Sequence, residues 1–129
     1  MKHINPPDWP RPSGYSNGIV AEGKMLFVAG MVGWNTAGKF PVGFTAQLEQ
    51  VLENTVAVLR AGGAGPEHIV RMTWFVKDLE AYRQNLPAVG QIYRKVIGKN
   101  FPVMAVVGVN DLVERDALLE IETTAVLHG

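Results

Sequence analysis

Apolar residues recur with two different periods along this chain, and the switches between them mark the elements. Phe44, Leu48, Val51, Leu52, Thr55, Val56 and Leu59 fall at helical spacing, with Gln47, Glu49, Gln50 and Glu53 off that stripe. This predicts a helix from 44 that ends in Ala61-Gly62-Gly63-Ala64-Gly65-Pro66, since glycine followed by proline stops a helix. A second helical pattern covers about 79–97, with Tyr82, Leu86, Val89, Ile92, Tyr93, Val96 and Ile97 on its buried side. Pro87 lies inside that span and either kinks the helix or marks its true start. Residues 68–77 instead alternate: Val70, Met72, Trp74 and Val76 point one way, Ile69, Arg71, Thr73, Phe75 and Lys77 the other. Further strands are predicted at about 17–21, 24–30, 103–109 and 117–127, the first two joined as a hairpin through Glu22-Gly23. Pro6, Pro7, Pro10, Pro12 and Gly14 make residues 1–14 an extended lead-in, and residues 33–43 read as a loop.

The order β-β-α-β-α-β-β describes one α+β domain spanning residues 1–129, with helices on one face of a sheet. Two helices cover only one side. The strand Val103-Met104-Ala105-Val106-Val107-Gly108-Val109 is nevertheless apolar on both faces, which is the habit of a strand buried on both sides. A second copy of the chain is the expected cover, so a homo-oligomer is predicted.

Composition narrows the function. Twelve Lys+Arg balance twelve Asp+Glu, which disfavours nucleic-acid binding, where phosphate neutralisation supplies much of the affinity. Cysteine is absent, so thiolate nucleophiles, disulfides and Cys-based zinc sites are excluded. No apolar run approaches the roughly 20 residues needed to span a bilayer. The amino terminus has no signal-type hydrophobic stretch, and a soluble cytoplasmic protein without membrane partners is expected.

Most candidate motifs fail on chemistry. Gly33-Trp34-Asn35-Thr36-Ala37-Gly38-Lys39-Phe40 imitates a phosphate-binding loop, but Phe40 stands where a magnesium-holding hydroxyl belongs and Pro41 follows. His3, His68 and His128 have no metal-ligand spacing, so no metal is predicted. No Gly-x-Ser-x-Gly elbow exists. Arg94, Lys95 and Lys99 sit in the last turn of a helix, where cations complement the dipole. Glu120 and Glu122 are more informative, because they share one face of a strand whose other face carries Leu119, Ile121 and Ala125. Both carboxylates then face the oligomer side, where burial is costly without partners. They are either paired with Arg71 or Lys77 on a neighbouring strand, or held for chemistry.

Landmarks in a fixed order carry a wider likeness. They are Gly14-Tyr15-Ser16-Asn17, Phe27-Val28-Ala29-Gly30, Val51-Leu52-Glu53-Asn54, Thr73-Trp74-Phe75-Val76-Lys77-Asp78-Leu79 and Glu120-Ile121-Glu122-Thr123-Thr124-Ala125-Val126. From about residue 13 to 127 the chain resembles the Rid family of reactive imine/enamine deaminases, whose older labels include L-PSP endoribonuclease. The resemblance implies a chorismate-mutase-like subunit with a mixed six-stranded sheet, and a homotrimer with clefts between subunits. It further implies cofactor-free hydrolysis of small 2-imino or 2-enamino acids to keto acids and ammonia. By similarity Glu120 positions or activates water, Tyr15 bonds the substrate or that water, and Gly30 lies in the cleft.

Departures from the family pattern cluster at the substrate positions. Met104 stands where the deaminases carry an arginine that grips the substrate carboxylate. Gly90 replaces an asparagine, Val106 a small residue or cysteine, and Ala29-Gly30-Met31 a Ser-Gly-Gln. A guanidinium holds a carboxylate through two charge-assisted bonds. At roughly 1.5–3 kcal/mol each, their loss removes about two to four orders of magnitude in affinity. An uncharged or apolar ligand is therefore expected, unless Arg11, Arg71 or an arginine of a neighbouring subunit takes over. The alternative to an altered deaminase is a non-catalytic ligand-binding trimer with a cleft lined by Met104, Met31 and Trp34. A ribonuclease is disfavoured by the zero net charge and the lack of a histidine pair.

Overall fold

The computed structural model describes residues 1–127 of the chain. Among the described residues nine strands and α-helices follow in order, β1 (Lys2–Ile4), β2 (Gly18–Val20), β3 (Lys24–Met31), α1 (Phe44–Ala61), β4 (Ile69–Val76), α2 (Leu79–Gln84), α3 (Leu86–Val96), β5 (Val103–Gly108) and β6 (Leu119–Leu127), with a single 3-10 turn (Pro66–His68) ahead of β4. The six strands do not form one six-stranded sheet. Four make a mixed sheet of order β3-β6-β4-β5, in which only β4 and β5 run parallel, and β1 pairs with β2 as a separate two-stranded ribbon.

That ribbon corrects two expectations. Part of the lead-in is a strand, and β2 pairs with β1 rather than with β3 in a hairpin. Three residues ahead of a proline pair carry too little pattern to announce a strand. The ribbon's end is closed by Asn5, whose Oδ1 accepts from the backbone N–H (3.1 Å) and side-chain amide (3.2 Å) of Asn17. Gly23 does adopt a positive φ of 140°, but its Cα lies against the Leu127 carbonyl, because the partner of β3 is β6.

The helices cover one face of the four-stranded sheet. α1 presents Phe44, Leu48, Val51, Leu52, Thr55 and Leu59 to the core, as its stripe predicts. Each fully buried aliphatic residue there contributes on the order of 1.5–3 kcal/mol. α3 packs beside α1 and adds Val89 and Tyr93. The predicted second helix is two helices. Pro87 occupies the first turn of α3, where its missing N–H costs nothing, and Asn85 bridges the break by donating to the Ala81 carbonyl at 2.6 Å. Strand β4 departs from strict alternation at its start. A bulge between Ile69 and Arg71 turns Ile69 into the core, 3% exposed, against the expected outward side.

The other sheet face is open. Met25 (58% exposed), Phe27 (70%) and Val107 stand on it, with Glu122 of β6 between strands. In β6, Leu119, Ile121, Thr123 and Ala125 are buried while Glu120, Glu122 and Thr124 turn outward, the predicted alternation.

A buried amide ties the layers together. Gln47 on α1 (3% exposed) accepts from Leu118 N–H at 2.8 Å and donates to the Asp116 carbonyl at 2.9 Å, clamping the segment that leads into β6. Gln47→Ala should leave these backbone groups unpaired and cost about 2–4 kcal/mol in urea unfolding, against less than about 0.5 kcal/mol for the exposed Glu53→Ala.

Candidate functional site

The sequence places Tyr15 next to Ser16, and Ser16 fixes where Tyr15 stands. The Ser16 backbone N–H donates to the Pro102 carbonyl at 3.0 Å, its hydroxyl donates to the Phe101 carbonyl at 2.6 Å, and His3 Nδ1 lies 2.7 Å from the same hydroxyl. These bonds pin the segment before β2 to the segment leading into β5. Tyr15 is thereby held, 41% exposed, at the mouth of a cavity of about 620 Å3 between α2, α3 and β5.

Register builds the cavity floor. In the parallel β4–β5 pair Met104 sits opposite Met72, and Val106 opposite Trp74, all on the helix side of the sheet. Gly90 of α3 faces the same space, and a Cβ added there would meet no atom within 4 Å. Tyr15, Gly90, Met104 and Val106, four of the seven residues singled out from the sequence, thus line one cavity.

The walls are aromatic, which the sequence reading did not anticipate. Trp74 meets Tyr82 edge-on (centroids 6.2 Å, 81°) and Tyr93 at 6.3 Å, and Tyr93 stacks on Phe101 (6.5 Å, 14°). Tyr93 donates its hydroxyl to the Asn100 carbonyl at 2.6 Å. Burial pushes both the Tyr82 and Tyr93 phenols above their ordinary pKa, so they stay neutral. Arg94, exposed in the last turn of α3, is the one charged residue among the described residues that line the cavity. These side chains come from four separate segments, and positions 74, 82, 93 and 101 form no motif. The one available signal was the aromatic residues of α2 and α3 on a shared helical side, which reads equally as core.

Glu120 and Gly30 lie elsewhere. Glu120 pairs with Phe75 on the open face, and its carboxylate rests directly over Gly30, where a Cβ would collide with it. Within one chain Glu120 and Tyr15 therefore belong to opposite faces of the sheet. Met31 pairs with Ile121 and packs against the core, while Trp34 stands over Phe40 in a surface depression away from the cavity. Neither expected base serves the glutamates. Lys77 binds Asp111 at 3.2 Å, Arg71 registers with Thr124, and no ion pair among the described residues reaches Glu120 or Glu122. The contact with Lys77 and a hydrogen bond from Leu112 N–H lower the Asp111 pKa, the backbone bond being the larger cause.

The remaining motifs are structural. Asn35 Oδ1 accepts from the backbone N–H groups of Ala37 (2.9 Å) and Lys39 (3.1 Å), so the phosphate-loop look-alike spends its amides on its own turn. Lys95 pairs with Glu49 at 3.2 Å. His128 lies outside the described residues.

Comparison with known proteins agrees with this architecture. Residues 10–127 match the family model described as Endoribonuclease L-PSP. The solved structure of YyfB, a protein of the conserved Rid family from Yersinia pestis, superposes with a TM-score of 0.86 at 35% identity, covering 98% of each chain. The chain belongs to the Rid family. A RutC family protein from Aquifex aeolicus is 34% identical over 98% of this chain and 99% of its own. A 2-iminobutanoate/2-iminopropanoate deaminase from Dermatophagoides farinae is 26% identical over 97% of this chain and 95% of its own.

In this Rid-family chain the close approach of Glu120 to Gly30 is a steric constraint open to test. Gly30→Ala should displace the Glu120 carboxylate while changing unfolding stability by no more than about 1 kcal/mol, because the crowded atoms end a flexible side chain. Side-chain carboxyl NMR shifts of Glu120, read beside a urea melt, check both halves.

Proposed function

We propose that the protein is a cofactor-free imine hydrolase of the Rid type, acting on substrates less acidic than 2-imino acids. The observation that carries this reading is the cavity wall at Met104: a thioether in one lining with Trp74 and Val106, and no buried cation among the described residues of that lining. The deaminase name of the Dermatophagoides farinae relative supports the reaction class.

Three copies would pack through the open face, removing Met25, Phe27 and Val107 from water, and each cleft between copies would join a Glu120 to a wall bearing Tyr15 and Met104. Burying these side chains favours association at about 25 cal/mol per Å2 of apolar surface. In the reaction, water adds to the imine carbon as Glu120 accepts its proton. That proton passes to nitrogen to give a carbinolamine; its hydroxyl proton then moves by way of Glu120 to nitrogen as the C–N bond breaks and the C=O bond forms, and a carbonyl compound and ammonia leave. Tyr15 donates a hydrogen bond to the substrate or the attacking water.

Ammonia release from imines generated in situ tests the reading, with acidic and neutral imines compared. Neutral imines should be hydrolysed faster than in buffer, and Glu120→Gln should cut turnover by about a hundredfold or more. Met104→Arg should shift preference toward acidic imines by about tenfold or more. The reading fails if no imine of either kind is accelerated; saturable binding without turnover would instead make the protein a ligand-binding trimer. Light scattering should give three times the monomer mass, and Phe27→Lys should lower it.

A further inference from the structure

The bonds that pin the segment before β2 to the segment leading into β5 also shape a second cavity. Ser16 donates its backbone N–H to the Pro102 carbonyl and its hydroxyl to the Phe101 carbonyl, which sets the lead-in beside the turn after α3. The recess at this junction has a volume of about 520 Å3, within the range of about 300–1,000 Å3 usual for small-ligand sites. Tyr15 and Phe101 line both this recess and the aromatic cavity, so the two are neighbours.

Its lining is chemically unlike that of its neighbour. Arg11 comes from one of the pinned segments and Lys99 from the other, and neither has an ion pair or hydrogen bond among the described residues. Glu67 is the one acidic residue among the described residues that line the recess; its side chain is 63% exposed and lies 3.4 Å from His68. Two permanent cations thus meet one carboxylate. Asn5 adds a donor, because Asn17 occupies its Oδ1 and leaves its amide hydrogens for another partner.

Both cations stand on stiff backbone. Pro10 and Pro12 flank Arg11, and the proline that follows holds it extended. Lys99 follows Gly98, whose φ is 79° and whose N–H donates to the Arg94 carbonyl at 3.0 Å, while Asn100 donates to the Ile97 carbonyl at 2.8 Å. These bonds also occupy carbonyls at the end of α3 that would otherwise repel an anion. The freedom lost in gripping a ligand is therefore confined largely to two side chains.

We propose that this recess binds a phosphate group, free or carried by a small organic molecule, held by Arg11 and Lys99. A dianion gains more from two cations than a carboxylate does. The guanidinium fork matches two phosphate oxygens, and the ammonium adds a point charge. The site is separate from the Met104 wall and stands whether or not the protein hydrolyses imines. Its shared border at Tyr15 sets the bound group beside the mouth of the aromatic cavity.

Calorimetric titration of the full-length protein with inorganic phosphate, phenyl phosphate and acetate tests this, at low salt and about pH 8, where phosphate is mostly the dianion. The better-bound phosphate should bind about tenfold or more tightly than acetate. Arg11→Gln and Lys99→Gln should each weaken it about threefold or more, with the effect shrinking as salt rises. Neither side chain bonds to the rest of the described fold, so both variants should fold. Glu67→Gln should tighten binding by about twofold, a gain that a folding defect cannot imitate. Lys39→Gln removes an exposed cation from the depression at Trp34 and should change nothing. Tighter binding of phenyl phosphate would support an organic phosphate as the occupant, and tighter binding of inorganic phosphate the free ion. No binding of either phosphate, equal affinity for acetate, or an equal loss in Lys39→Gln and Arg11→Gln overturns the proposal.

Discussion

The antiparallel register of β6 against β4 determines which chemistry each side of the sheet carries. Trp74 lies opposite Ile121, and Phe75 opposite Glu120. Because side chains alternate with period two, a slip of one residue would drive Glu120 and Glu122 under α1 and lift Ile121 into water. Burying two carboxylates there without partners would cost several kcal/mol each, on the order of the whole stability of a small domain. Both faces therefore follow from this one pairing: the aromatic cavity on the helix side, and the glutamates with exposed Phe27 and Met25 on the other. The parallel β5 extends the same assignment outward, carrying Met104 and Val106 to the helix side.

Where a segment was long and periodic, the sequence revealed it. The β6 alternation is recovered at the residues named for it, and the α1 stripe with two departures: Gln47, expected off the stripe, is buried because its amide clamps the segment before β6, and Val56 is only partly buried. What escaped was short or set by distant contacts. β1 has three residues and exists through its pairing with β2 and the Asn5–Asn17 bonds. The bulge that turns Ile69 inward depends on how β4 meets β6, and no local pattern encodes it. The break at Asn85 was half visible: Pro87 signalled an interruption, but the choice between a kink and a new helix rests on the Asn85 side chain reaching Ala81.

The site divides along the same line. Tyr15, Gly90, Met104 and Val106 were singled out from motif positions, and the structure gathers them round one cavity. Trp74, Tyr82, Tyr93 and Phe101 complete its walls from separate elements, and their spacing in sequence resembles ordinary core. Conversely, Glu120 and Gly30 were grouped with Tyr15 by family likeness, while the single chain holds them across the sheet, in contact with each other. In the proposed reaction a second copy would bring the two groups together, which ties the proposed chemistry to the proposed association of chains.

Within one chain, neither Arg11 nor Arg71 stands beside Met104. Arg71 registers with Thr124 on the open face, and Arg11 lines a neighbouring cavity that also contains Glu67. Arg94 does line the aromatic cavity, but it is exposed in the last turn of α3, where its charge also complements the helix dipole. An exposed ion pair contributes only about 0–1 kcal/mol, whereas hydrogen bonds to a charged group contribute roughly 1.5–3 kcal/mol each. Arg94 can thus tolerate an acidic group at the mouth without holding it firmly. With Gly90 offering no side-chain amide and Val106 no polar side chain, this wall presents shape and ring surface more than charge.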